Sequence, residues 1–200
     1  ARRSTAPCAA TAAAAAAHGV LMEYFGTGDF PNSEAIAANL NAALATSLGQ
    51  IPDGVPKEQG VRYGERAAEH LVELRADDGR FAPIVFDRPP APGVWRPTPP
   101  AMAPFFDPWL GQVDPFLVNS PTQFDPGAPP PIASNLYVEE FNEVRDYGVN
   151  VGSLRSPQQT ETALFFSDVG IGPLQAGLRD LVTRRGLDIS DSARLFAAVD

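Results

Sequence analysis

Few side chains in this sequence carry the chemistry of an enzyme. Two histidines, His18 and His70, fall on different predicted helices. Either imidazole could move a proton near neutral pH, but a lone histidine on a helix is ordinarily structural. The one thiol, Cys8, has no basic neighbours beyond Arg2 and Arg3 to favour a thiolate. Glu139, Glu140 and Glu143 lie along one predicted helix, where two of them could share a metal. Without paired histidine ligands, this spacing is expected to be a solvated face. Arg184 and Arg185 read as the usual preference for cations at a helix C-terminus. Asp168 differs from these. In "LFFSDVGIG" it follows an aromatic pair at the end of an apolar helix. It is either the acid of a helix-ending turn or the partner of a buried cation.

The larger motifs of catalysis are absent. No glycine-rich phosphate loop, CxxC, HExxH or GxSxG occurs. The net charge is −9, and the one lysine, Lys57, leaves arginine as the remaining basic residue. Such a balance makes the chain a poor candidate for phosphate-backbone binding, which needs clustered cations, so no nucleic-acid partner is expected. A single cysteine rules out an internal disulfide and fits a soluble protein of the cytoplasm or a secreted one alike. No run approaches the roughly 18–20 apolar residues of a membrane span. The alanine-rich opening reads as a helix rather than a signal peptide, because it is only moderately apolar and carries helix punctuation.

The elements that must position these residues are helical. Two hundred residues, 44% hydrophobic, suffice for a core without staples. A first helix is expected from about Ala6 to Phe25, with His18, Leu21, Met22 and Phe25 on one face. Asn32 or Ser33 should cap a second, with Ile36, Leu40, Leu44 and Leu48 in a row and Gly49 as its stop. A third should run from Glu58 to Arg75 with an inner stripe of Val61, Gly64, Ala68, Leu71 and Leu74. Later, Ser134 is a good N-cap for a helix whose inner row is Tyr137, Phe141 and Val144. "SPQQ" at 156–159 is a capping box for a helix carrying Ala163, Leu164, Phe165 and Phe166. A helix over Pro173–Arg185 follows, then one opened by Ser190 or Asp191. The expected fold is all-α: one helical domain or partial domain, with helices over 1–80 and 133–200 and a Pro-rich excursion over 81–132.

That excursion is unusual. Between Pro89 and Pro131 prolines are too dense for a helix or a central strand. Yet Trp95, Phe105, Phe106, Trp109, Phe116, Leu117 and Phe124 interleave with them, whereas disordered segments are poor in aromatics. An ordered, extended wrap over a helical body is therefore expected, anchored by its rings.

Four stretches occur in an informative order: "WRPTPPAMAPFFDPWLGQVDPFLVNSPTQFDPGAPPP", "YVEEFNEVRDYG", "RSPQQTETALFF" and "ARLFAAVD". In this series the chain resembles the vanadium-dependent haloperoxidase branch of the type 2 phosphatidic acid phosphatase superfamily. The resemblance covers most of the chain. It implies an all-α fold with two helical bundles around one anion site, and oxidation of halide by hydrogen peroxide at a bound vanadate. In that family, vanadate is held by Lys, Arg, backbone donors and a His, and it polarises the peroxide as a Lewis acid. The family's Lys and Arg-Pro after "ARLFA" and its Ser-Gly-His do not occur here, and Lys57 stands in an early loop. Arg88–Pro89 and Arg96–Pro97 lie in the Pro-rich stretch and do not match.

The resemblance therefore implies a scaffold half, cut at both ends, whose vanadate site is completed by residues beyond Asp200. The final "ARLFAAVD" fits this, since it reads as a helix begun without a closing signal. The implied partners are the remaining C-terminal half, halide and hydrogen peroxide, and residues 1–200 alone should be inactive. One role carries over: Asp168 matches the acid that pairs with a vanadate-binding arginine, although it stands one residue nearer the aromatic pair, and Phe166 replaces a frequent Trp. Two other functions are compatible. One is a phosphomonoesterase using the same site with a His nucleophile. The other is a non-catalytic helical module that binds through its aromatic–proline surface. Exposure of Trp95, Trp109, Phe116 and Phe124 would favour the module, and burial would make the wrap structural.

Overall fold

The computed structural model describes residues 8–28, 31–167 and 171–199. These residues are all-α, with no strand among them. The helices are α1 (Ala9–Leu21), α2 (Ser33–Gly49), α3 (Val55–Leu74), α4 (Asn135–Gly148), α5 (Pro157–Phe165), α6 (Ile171–Arg185) and α7 (Ile189–Val199). A π-helical turn, Met22–Gly26, widens the end of α1, and a 3-10 turn, Pro108–Gln112, interrupts the Pro-rich stretch. The chain divides into two compact units. The first comprises Ala1–Asp78 with Leu181–Asp200, and the second comprises Gly79–Asp180.

In the first unit α1 packs chiefly on α3, and α2 packs on α1 and its π-turn. Small residues make the α1–α3 contact. Gly60, Gly64 and Ala68 of α3 and Thr11 and Ala15 of α1 are all buried. A Cβ added to Gly64 would stand 2.7 Å from the Ala15 Cβ, and one added to Gly19 would stand 2.6 Å from that of Ala68. The spacing of four residues on both helices lets one ridge enter the other's groove. Thr11 is the one polar side chain fully buried among the described residues, and its Oγ1 donates to the Cys8 carbonyl at 2.8 Å. The α2 row of Ile36, Leu40, Leu44 and Leu48 is half-buried, as its periodicity requires.

Two expected stripes need correction. Buried Gly60 lies on the inner face of α3, where Val61 was expected, and Leu74 is 65% exposed. On α1 the buried residues are Thr11 and Ala15, while Leu21 and Phe25 stay exposed. A close helix crossing selects for small side chains, whereas hydrophobic periodicity tracks large ones. α3 ends with Arg75 bonded to Asp78 at 2.7 Å, both side chains largely buried.

In the second unit the Pro-rich stretch folds partly on its own rings. Phe86, Trp95 and Phe105 form a three-ring cluster with centroids 5.5–5.8 Å apart, and Phe81 meets Trp109 edge-on at 5.1 Å. Gly79, at φ +90°, fits against the Gln112 backbone where a Cβ would not. Beyond it, Ser134 caps α4 by accepting from the Tyr137 N–H at 3.1 Å. The α4 row is not inner: Tyr137 is half-buried, but Phe141 and Val144 are exposed. No other helix packs substantially on α4 or α5 among the described residues.

Candidate functional site

The sequence places its one candidate site residue, Asp168, after α5, and Asp168 lies outside the described residues. The helix leading to it is well defined. Ser156 Oγ accepts from the Gln159 N–H at 3.2 Å, and Gln159 Oε1 accepts from the Ser156 N–H at 2.9 Å. This reciprocal box, with Pro157 in the first turn, is the one read from "SPQQ". At the other end Phe165 and Phe166 meet edge-on at 5.0 Å, and both are exposed. Gln158, Gln159, Thr162, Ala163 and Phe166 line a shallow hollow beside them. All five come from α5 and its final residue, so the hollow is the open side of one helix.

Arg155 was missed as an organising residue. Its Nη1 donates to the Tyr147 carbonyl at the end of α4, and its Nε donates to Thr160 Oγ1 on α5. Ser153 Oγ donates to the same Tyr147 carbonyl at 3.1 Å. A cation thus meets the negative end of the α4 dipole and joins it to the next helix. The sequence signal was an arginine directly ahead of a capping box.

The remaining candidates do not converge. His18 Nε2 hydrogen-bonds Asn41 Oδ1 at 2.9 Å, linking α1 to α2. His70 is exposed on α3, with no hydrogen bond among the described residues. Lys57 Nζ donates to Asp53 Oδ1 at 2.9 Å and to the Ile51 carbonyl at 3.0 Å, which fixes the loop before α3. Lys57 in turn holds the Asp53 carboxyl below its ordinary range. Cys8 occupies the N-cap position of α1 and makes no capping bond through its side chain. The N–H groups of the first turn, that of Thr11 above all, hold its thiol below the usual range. No group of three His, Cys, Asp or Glu able to hold a metal occurs among the described residues.

Vanadate would need several cations and N–H donors around one point. Lys57 is engaged by Asp53, His18 by Asn41 and Arg155 by Tyr147, so these residues do not fit as its cradle. Between α1, the π-turn and α3, a hollow of about 230 Å³ is lined by Glu23, Glu65 and Glu69 over Gly19, Ala68 and Val72. Its charge opposes any oxyanion. Compared with known proteins, the chain matches no family model, no curated protein and no solved structure.

Proposed function

We propose that this chain is the scaffold part of a vanadium-dependent haloperoxidase-like protein. In the complete protein, hydrogen peroxide oxidises halide at a vanadate site completed by residues beyond Asp200. The order of the four sequence stretches supports the family. The observation that carries the scaffold role is the apolar surface of α4 and α5. Phe141 is 55% exposed, Val144 70%, Leu164 68%, Phe165 64% and Phe166 69%. Apolar surface on this scale belongs under another part of a protein. Asp168, two residues after Phe166 in the sequence, is the residue we assign as partner of a vanadate-binding arginine.

Intact mass of the native protein, under denaturing and then native conditions, is the first test. A longer chain or a travelling companion is expected, and that material should bind vanadate and oxidise bromide with peroxide. Hydrolysis of a phosphomonoester without peroxide chemistry would make the protein a phosphatase instead. Residues 1–200 alone should do neither, and bromide oxidation by them would overturn the proposal.

A second function is favoured by exposure in the Pro-rich stretch, where Trp95, Phe116 and Phe124 are exposed and Trp109 is half-buried. As a non-catalytic interaction module, the chain would have a native mass of about 21.3 kDa without a companion.

A further inference from the structure

The exposed side of α4 has a sign as well as an apolar character. Tyr137, Phe141 and Val144 follow each other at i, i+4 and i+7, so they share one row. The Tyr137 and Phe141 rings stack at 6.3 Å. The adjoining row, at the same spacing, is Leu136, Glu140, Glu143 and Tyr147. Its ends are apolar and its middle is two carboxylates. Both are exposed, and neither has an ion pair among the described residues. Glu139 lies on the opposite side of the helix from the apolar row. Arg145, the cation of α4, pairs with its neighbour Asp146 at 2.8 Å.

From this juxtaposition we infer that α4 is the docking surface for a cationic amphipathic helix. The partner lays an apolar row on Tyr137, Phe141 and Val144, and its Lys or Arg side chains reach Glu140 and Glu143. An amphipathic helix read through i, i+4 and i+7 anchors is a recurrent mode of recognition. The charge complementarity fixes which flank the partner's cations occupy and disfavours an acidic partner. The same carboxylates disfavour an anionic lipid surface. This inference concerns what covers α4 and holds whether or not the parent is a haloperoxidase.

The test is titration of a fluorescent leucine–lysine helical peptide with the full chain, read by anisotropy. A leucine–glutamate peptide of the same apolar pattern serves as control. The lysine peptide should bind, more weakly as salt rises, and the glutamate peptide should not. E140Q and E143Q should each weaken binding about threefold, as loss of an exposed ion pair does. E139Q makes the same change in net charge and should leave binding unaltered. Phe141→Ala should weaken it about tenfold, as an aromatic anchor does, with the helical circular dichroism retained. Should that variant lose helix content, Val144→Asp at the more exposed position replaces it. Equal effects of E139Q and E140Q would mean attraction to an acidic protein only, and would overturn the inference. So would binding of the glutamate peptide, no binding of the lysine peptide, or tighter binding to phosphatidylcholine–phosphatidylserine vesicles than to the peptide.

Discussion

Ser156 fixes the start of α5 in two bonds, one given by each end of the box. Ser156→Ala should lower stability by about 1 kcal/mol, and Ser156→Thr should retain most of it. Urea denaturation of both variants, compared at unchanged slope, checks this. Cys8 yields a pH prediction. Its thiol is held low by the N–H groups of α1, so the folded state favours thiolate. Iodoacetamide should modify Cys8 of the folded chain at lower pH than it modifies the urea-unfolded chain. The linked stability is present above the ordinary thiol pKa and fades as pH falls through the lowered one. Caps were legible where four consecutive residues determine them, as at Ser134 and Ser156. Elsewhere they were legible only in part. Asn32 sits at the N-cap of α2 with φ 61° and makes no side-chain cap bond. At α7 the cap is Asp188, which accepts from the N–H groups of Ser190 and Asp191, rather than Ser190 or Asp191 themselves. Asp188, Ser190 and Asp191, three polar residues within four, compete there, and sequence spacing does not rank them.

Each α-helix was readable, because alanine content and glycine stops agree with one another, but its bounds were not. α3 opens at Val55 rather than Glu58 and so carries Lys57, expected in a loop, and α6 opens at Ile171 rather than Pro173. The 3-10 turn Pro108–Gln112 lies where dense prolines were expected to forbid a helix. Helix faces were readable only where large side chains do the packing. The row on α2 is such a case. The α1–α3 crossing is the opposite case, since Gly60 and Gly64 leave no hydrophobic signal of their own. Substitution there should be costly. Gly64→Ala puts a methyl group against the Ala15 Cβ and the α1 backbone, and overpacking of this kind costs roughly 1–3 kcal/mol. Gly49→Ala, in open space at the end of α2, should be neutral or stabilising by up to about 1 kcal/mol. Thermal melts of the pair separate crowding from propensity. The α4 row misled because amphipathic periodicity says that a face is covered and is silent on what covers it.

At the scale of the whole molecule, few large apolar side chains are buried among the described residues. Among the described residues the buried apolar side chains are Ala15, Ala68 and Leu178. Residues 1–200 alone should therefore enhance the fluorescence of an apolar dye such as ANS, and a covering partner should quench the enhancement. The all-α class was legible in the sequence, but the candidate site was not. A vanadate site depends on cations brought together from distant positions, and local spacing cannot report that convergence. The seam between α1 and α3 bears on how such a chain unfolds. Glycine and alanine lose no side-chain rotamers on packing, although each glycine gives up more backbone freedom than any other residue. Residues 9–21 and 55–74 form the most extensively packed helix pair among the described residues, so opening them breaks the most contact at once. Their amides should be the last to exchange in deuterated solvent, after those of α4 and α5 have reached full exchange.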